Sequence, residues 1–114
     1  MARLTTHVLD TAAGLPAAGM RVVLRREGEA NALTEALTNA DGRPDKPLLE
    51  GAACKPGGYE ISFHAGDYFR AKGAALADPA FLDIVPVRFS IAAGADYHVP
   101  LLISPYGYSV YRGS

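Results

Sequence analysis

One cysteine, no tryptophan and no long apolar run set the first limits on this 114-residue chain. With Cys54 alone there is no intrachain disulfide and no Cys-x-x-Cys metal knuckle. No stretch approaches the roughly 20 consecutive apolar residues of a membrane-spanning helix. Residues 1–7 enter an alternating pattern without the apolar core of a secretory signal, so the expected location is the cytoplasm, with no membrane partner. Lys and Arg number 11 against 12 Asp and Glu, scattered along the chain, and a formal net charge of −1 offers no electrostatic footprint for nucleic acid. Also missing are GxGxxG, a phosphate-binding GxxxxGK, HExxH and GxSxG, which removes dinucleotide, phosphate-loop, zincin and α/β-hydrolase chemistry. What is present is globular in balance, 49% hydrophobic and 20% charged, and the length suits one domain over residues 1–114.

The periodicity is that of strands. Leu4 to Asp10 puts Leu4, Thr6 and Val8 on one face and Thr5, His7 and Leu9 on the other. Met20 to Arg26 alternates again, with Met20, Val22 and Leu24 opposite Arg21, Val23 and Arg25. Ala32 to Thr38 is a weaker strand and Leu48 to Glu50 a short one. Tyr59 to His64 reads as a strand with Tyr59, Ile61 and Phe63 inward, and Ile84 to Ala92 as one with Val85, Val87, Phe89 and Ile91 inward. Asp96 to Ser104 and Tyr108 to Arg112 complete the set. Between them, Asn39-Ala40-Asp41-Gly42-Arg43-Pro44 is a turn, because Asp-Gly supplies positive φ and Pro44 bars the preceding residue from helix. Gly66 to Gly73 predicts the one short helix, with Asp67 as N-cap and Gly73 as stop, followed by a loop over residues 74–83. Seven or eight short strands and one small helix predict an all-β antiparallel sandwich.

Few residues remain to carry chemistry: His7, His64, His98, Arg43 in its turn, and the tyrosine-rich end. The three histidines match no common zinc spacing and have no cysteine beside them, so no metal site is expected. His64, between Phe63 and Ala65, reads as an ordinary structural histidine. His7 and His98 sit in apolar or hydroxyl-bearing strands, where an imidazole titrating near neutrality can carry a proton. The last residues, Tyr111-Arg112-Gly113-Ser114, follow a strongly strand-forming segment, and the reading is that they are ordered.

Three segments together, Leu4-Thr5-Thr6-His7-Val8-Leu9-Asp10, Asn39-Ala40-Asp41-Gly42-Arg43, and Tyr97-His98-Val99-Pro100-Leu101-Leu102 through Ser104-Pro105-Tyr106-Gly107-Tyr108 to Tyr111-Arg112-Gly113-Ser114, resemble the 5-hydroxyisourate hydrolases, the transthyretin-related proteins of purine catabolism. The resemblance runs from the first strand to Ser114. It departs mainly between Lys72 and Val85, which is less aromatic than the usual family sequence. It implies a transthyretin-like sandwich of two four-stranded sheets, a homotetramer, and active sites in a central channel. The assembly would cover an apolar region around Leu101, Ile103, Tyr106 and Tyr108.

Carried over residue by residue, the resemblance implies a catalytic set of His7, Arg43, His98 and Ser114, with Tyr111, Arg112 and Gly113 joining His7, Arg43 and Ser114 in substrate binding. The implied reaction is hydrolysis of 5-hydroxyisourate to 2-oxo-4-hydroxy-4-carboxy-5-ureidoimidazoline in urate degradation, without metal or organic cofactor. In that reading His98, acting with His7, orients and deprotonates water, and Arg43 holds the developing oxyanion with fixed planar donors. Ser114, through its hydroxyl or a terminal carboxylate, fixes substrate or orients a histidine. Which histidine takes the proton stays open. Two rivals are a transthyretin-like binder of aromatic ligands and a structural sandwich, since fold alone does not determine function.

Overall fold

The computed structural model describes residues 2–114. Among these residues, nine strands and one α-helix follow in the order β1 (Arg3–Asp10), β2 (Leu15–Pro16), β3 (Arg21–Arg26), β4 (Ala32–Leu37), β5 (Leu49–Glu50), β6 (Gly57–His64), α1 (Ala65–Ala71), β7 (Ile84–Ile91), β8 (Tyr97–Ser104) and β9 (Gly107–Val110), with a short 3-10 turn at Gly51–Ala53. One sheet runs β2-β1-β8-β9 with β5 also on the edge of β1; the other runs β4-β3-β6-β7. The expected sandwich is therefore present, with two refinements: the first sheet carries a fifth, two-residue strand, and β1 pairs with β8 in parallel. No hairpin joins β1 to β8, so no tight turn imposes the antiparallel sense on them.

Alternation along β1 buries Leu4, Thr6, Val8 and Asp10 and leaves Thr5, His7 and Leu9 half-buried on the outer face. The core packs Leu4 and Val8 with Val22, Leu24, Tyr59, Ile61, Phe63, Leu101 and Ile103 between the sheets. Polar groups drawn inward are matched. Thr6 Oγ1 donates to the Val99 carbonyl at 2.7 Å. Asp10 Oδ1 accepts from the Ala12 and Ala13 amides, and Oδ2 accepts from the Tyr68 hydroxyl at 2.8 Å. Burial and the Asp10 carboxylate push Tyr68 up to about 12, so the phenol stays protonated as the donor that ties α1 to the end of β1.

Several expectations shift in detail. Leu101 and Ile103 are fully buried, because they alternate inward with Val99; Tyr106 and Tyr108 remain exposed. Val23 lies outside the main core cluster yet is fully buried, between its register partners Glu35 and Ser62. The helix starts at Ala65, two residues before the expected cap, and Asp67 lies in its first turn, donating nothing and accepting from Arg70 at 2.8 Å. Tertiary docking overrides the cap: the Gly66 amide donates to the Asp83 carbonyl, and a side chain at Gly66 would collide with Asp83. The last strand ends at Val110, and pairing resumes at an isolated bridge between Gly113 and His98 in the same register. The interruption falls opposite Pro100, which has no N–H to give to a ladder.

Candidate active site

The parallel register of β1 and β8 sets Thr5 directly against His98 and His7 against Pro100, on the outer face of the first sheet. Side chains on that face meet in line. Thr5 Oγ1 lies 2.8 Å from His98 Nδ1, and His98 Nε2 lies 2.7 Å from His7 Nδ1. The two imidazoles also stack, with centroids 4.8 Å apart and planes 29° from parallel. Both strands have neighbours on each side, so the pair is mounted on rigid scaffold.

Arg43 arrives from the turn between β4 and β5. Asn39 Oδ1 accepts from the amides of Asp41 and Arg43, and the Gly42 amide donates to the Asn39 carbonyl, closing the turn. The Val8 amide then donates to the Gly42 carbonyl at 2.9 Å, which docks the turn on β1. Gly42 is required here: its φ is +75°, and a Cβ would collide with the Val8 carbonyl.

The terminal segment closes the other side. Gly113 donates its amide to the His98 carbonyl at 2.7 Å, and a Cβ on Gly113 would come within 2.7 Å of His98 Cδ2. Only glycine lets this segment lie against the imidazole. Arg112 holds the segment by donating to the Asp96 carbonyl and stacking its guanidinium 4.1 Å over the Tyr97 ring.

A cavity of about 230 Å³ results, lined by Arg3, Thr5, Arg43, Asp96, Tyr97, His98 and Ser114. That is room for one small molecule. The structure thus brings His98, Arg43 and Ser114 to one cavity, and His7 is hydrogen-bonded to His98 on the same sheet face. Gly113 acts through its backbone. Tyr111 and Arg112 lie outside this cavity and line a second hollow with Val87, Phe89, Tyr97 and Val110. Thr5 escaped the sequence reading; the signal was its spacing of two from His7, which places both on one strand face.

The electrostatics favour neutral imidazoles. Burial lowers the His7 pKa from its ordinary 6.5, and the adjoining His98 and the Arg43 cation lower it further. His98 is lowered first by burial and then by Arg43, with a hydrogen bond to the Thr5 backbone offsetting part. Two neutral, hydrogen-bonded imidazoles beside the Arg43 guanidinium can accept a proton from water and hold negative charge nearby. His64 lies in the other sheet, its Nδ1 4.0 Å from Asp67 Oδ2. Among the described residues no three His, Cys, Asp or Glu side chains gather as metal ligands, and no helix is long and apolar enough to cross a membrane.

The profile of the HIUase/Transthyretin family matches residues 4–113. The chain is 63% identical to 5-hydroxyisourate hydrolase 2 of Rhizobium meliloti, over 98% of this chain and 96% of that one. Among solved structures it is similar to (S)-allantoin synthase, with TM-score 0.93 and 44% identity over 99% of this chain and 44% of that longer one. It is also similar to Klebsiella pneumoniae 5-hydroxyisourate hydrolase, with TM-score 0.83 and 36% identity over 100% of both chains. A sandwich with this strand order, a profile match over nearly its whole length and relatives of this identity lead to one assignment: the chain belongs to the HIUase/transthyretin family.

Proposed function

We propose that this protein hydrolyses 5-hydroxyisourate, opening its six-membered ring to give 2-oxo-4-hydroxy-4-carboxy-5-ureidoimidazoline. The observation that carries the reading is the His7–His98 hydrogen bond of 2.7 Å beside a cavity that Arg43 and Ser114 also line. The names of the relatives in Rhizobium meliloti and Klebsiella pneumoniae support the substrate.

The residues divide the work by their chemistry. The histidine pair takes one proton from water, and the resulting hydroxide adds to a ring carbonyl. Arg43 stabilises the oxyanion that forms there, with two planar N–H donors and a charge that does not titrate. Collapse of the tetrahedral species breaks the ring C–N bond, and the pair returns its proton to the departing nitrogen. Ser114 lines the same cavity and positions the substrate. Gly113 and Arg112 act through the backbone seat of His98, and Tyr111 shapes the adjoining hollow.

Assembly into a homotetramer belongs to this reading. Tyr106, Tyr108 and Tyr111 are 68%, 46% and 55% exposed on and beside the edge strand β9, with Phe81 next to Tyr106. Light scattering is expected to give about four times the 12.0 kDa chain mass; a fully active monomer would refute the assembly. The function is tested by mixing the protein with freshly generated 5-hydroxyisourate and following decay of its ultraviolet band. Decay well above the spontaneous rate, with the ring-opened product, is expected.

A further inference from the structure

We infer that Thr5 is a positioning residue: its hydroxyl, accepting from His98 Nδ1–H, orients the whole Thr5–His98–His7 chain so that His7 Nε2 is left without a proton, as the base. The inference rests on the hydrolytic reading and specifies which atom of the pair does the work.

The argument is one of hydrogen-bond directions. Both ring nitrogens of His98 are engaged, Nδ1 by Thr5 Oγ1 at 2.8 Å and Nε2 by His7 Nδ1 at 2.7 Å. A neutral imidazole has one N–H and one bare nitrogen, so a chain of two neutral rings has only two consistent arrangements. In the first, Thr5 donates to His98 Nδ1, His98 Nε2–H donates to His7 Nδ1, and the proton of His7 stands on Nε2. In the second, His98 Nδ1–H donates to Thr5, His7 Nδ1–H donates to His98 Nε2, and His7 Nε2 is bare. Among the described residues His7 Nε2 has no hydrogen-bond partner, so it is the free end of the chain.

Only the second arrangement supplies a base. The positive charge of Arg43 weighs against a second proton on either ring, which keeps the chain to these two neutral arrangements. Thr5 can serve as acceptor because a hydroxyl has two lone pairs, and its own O–H stays free to point into the cavity it lines. Water then gives its proton to His7 Nε2, and the imidazolium keeps its Nδ1–H on His98 Nε2. Its charge is spread along the chain through that bond. A residue without a hydroxyl at position 5 would take away the Oγ1 partner of His98 Nδ1 and, with it, the bias between the two arrangements.

The test is long-range proton–nitrogen NMR of uniformly ¹⁵N-labelled protein at neutral pH, with steady-state kinetics on Thr5→Val and Thr5→Ser. Val keeps the β-branched shape and strand preference while deleting the hydroxyl. In the wild type, His7 and His98 should both show a protonated Nδ1 and a bare Nε2. Thr5→Val should mix or reverse the tautomers and lower kcat about tenfold, the scale of one hydrogen bond, with KM nearly unchanged. Thr5→Ser should restore the wild-type tautomers and most of the rate. A wild-type spectrum with the proton on His7 Nε2 overturns the inference, whatever the variants do. So does a Thr5→Val protein that keeps wild-type tautomers, or one that changes them at full kcat. If the wild type fails to hydrolyse 5-hydroxyisourate the functional reading falls, while the NMR comparison still decides whether Thr5 directs the pair.

Discussion

His7 and His98 on the first sheet and His64 at the end of β6 are the same side chain in opposite surroundings. His98 is held by a hydroxyl, a second imidazole and a glycine backbone, and among the described residues no carboxylate is bonded to the pair. Around His64 the partners are charged: Asp67 at 4.0 Å, Arg70 bonded to Asp67 at 2.8 Å and to Asp83 at 3.1 Å. The Arg70 hydrogen bond is the main cause that lowers the Asp67 carboxyl, on an exposed helix surface where water screens the charges. Burial and the nearby Arg43 cation leave the histidine pair unprotonated and available, whereas a carboxylate network holds its charges in a solvated surface cluster. Surroundings, more than residue type, separate the two sites.

The sharpest way to break this contrast is substitution. Arg43→Ala and His7→Asn should each lower kcat by about a hundredfold or more, the usual scale for losing an oxyanion donor or a base. Circular dichroism should show the fold retained, because both side chains lie on the outer face of the first sheet or its turn. Loss of structure in step with activity would make these residues structural.

A smaller effect should come from Gly113→Ala. The added methyl meets His98 Cδ2, so the ring or the terminal segment must move. Kinetics should show about a tenfold loss, since a misaligned base loses less than an absent one. Unchanged kinetics would mean that the seat of His98 is not needed.

The pH profile should show the contrast more gently. Both imidazoles are lowered from 6.5, and the active form is neutral. The rate should therefore hold through neutrality and fall only as pH drops through a value below 6.5, in an apparent step belonging to the pair. The native protein binds these protons less readily than the unfolded chain. Stability contributed by the pair is accordingly full above 6.5 and declines as pH falls below it. A kinetic limb above 6.5 would contradict the assigned environment. Smallest of all, Asp67→Asn and Asp83→Asn should leave hydrolysis unchanged, whereas a falling rate would tie the surface cluster to the site.

Much of this arrangement was readable from the sequence, because a period of two separates the faces of a strand. That period alone places Thr5 and His7 opposite Leu4, Thr6 and Val8. The turn that presents Arg43 announced itself through Asp41-Gly42 and Pro44. What could not be read is pairing at a distance. Nothing local in residues 3–10 or 97–104 states that these strands run parallel, or that Thr5 faces His98 instead of His7 facing it. The 2.7 Å histidine contact and the role of Thr5 both depend on that register. The helix start was hidden likewise, since Gly66 packs on Asp83, a residue 17 positions away. Leu101 and Ile103 were misjudged as uncovered because an apolar β8 gives little polar alternation by which to choose its inner face.

The central claim is that a neutral imidazole pair on the first sheet, not the histidine on the second, drives hydrolysis of 5-hydroxyisourate. The most direct measurement follows decay of the substrate's ultraviolet band with wild type, His98→Asn and His64→Asn at equal concentrations. The account predicts rapid decay with wild type and His64→Asn, within about twofold of each other, and a loss of about a hundredfold or more with folded His98→Asn. Equal rates for wild type and His98→Asn, or a wild-type rate no faster than buffer, would contradict it.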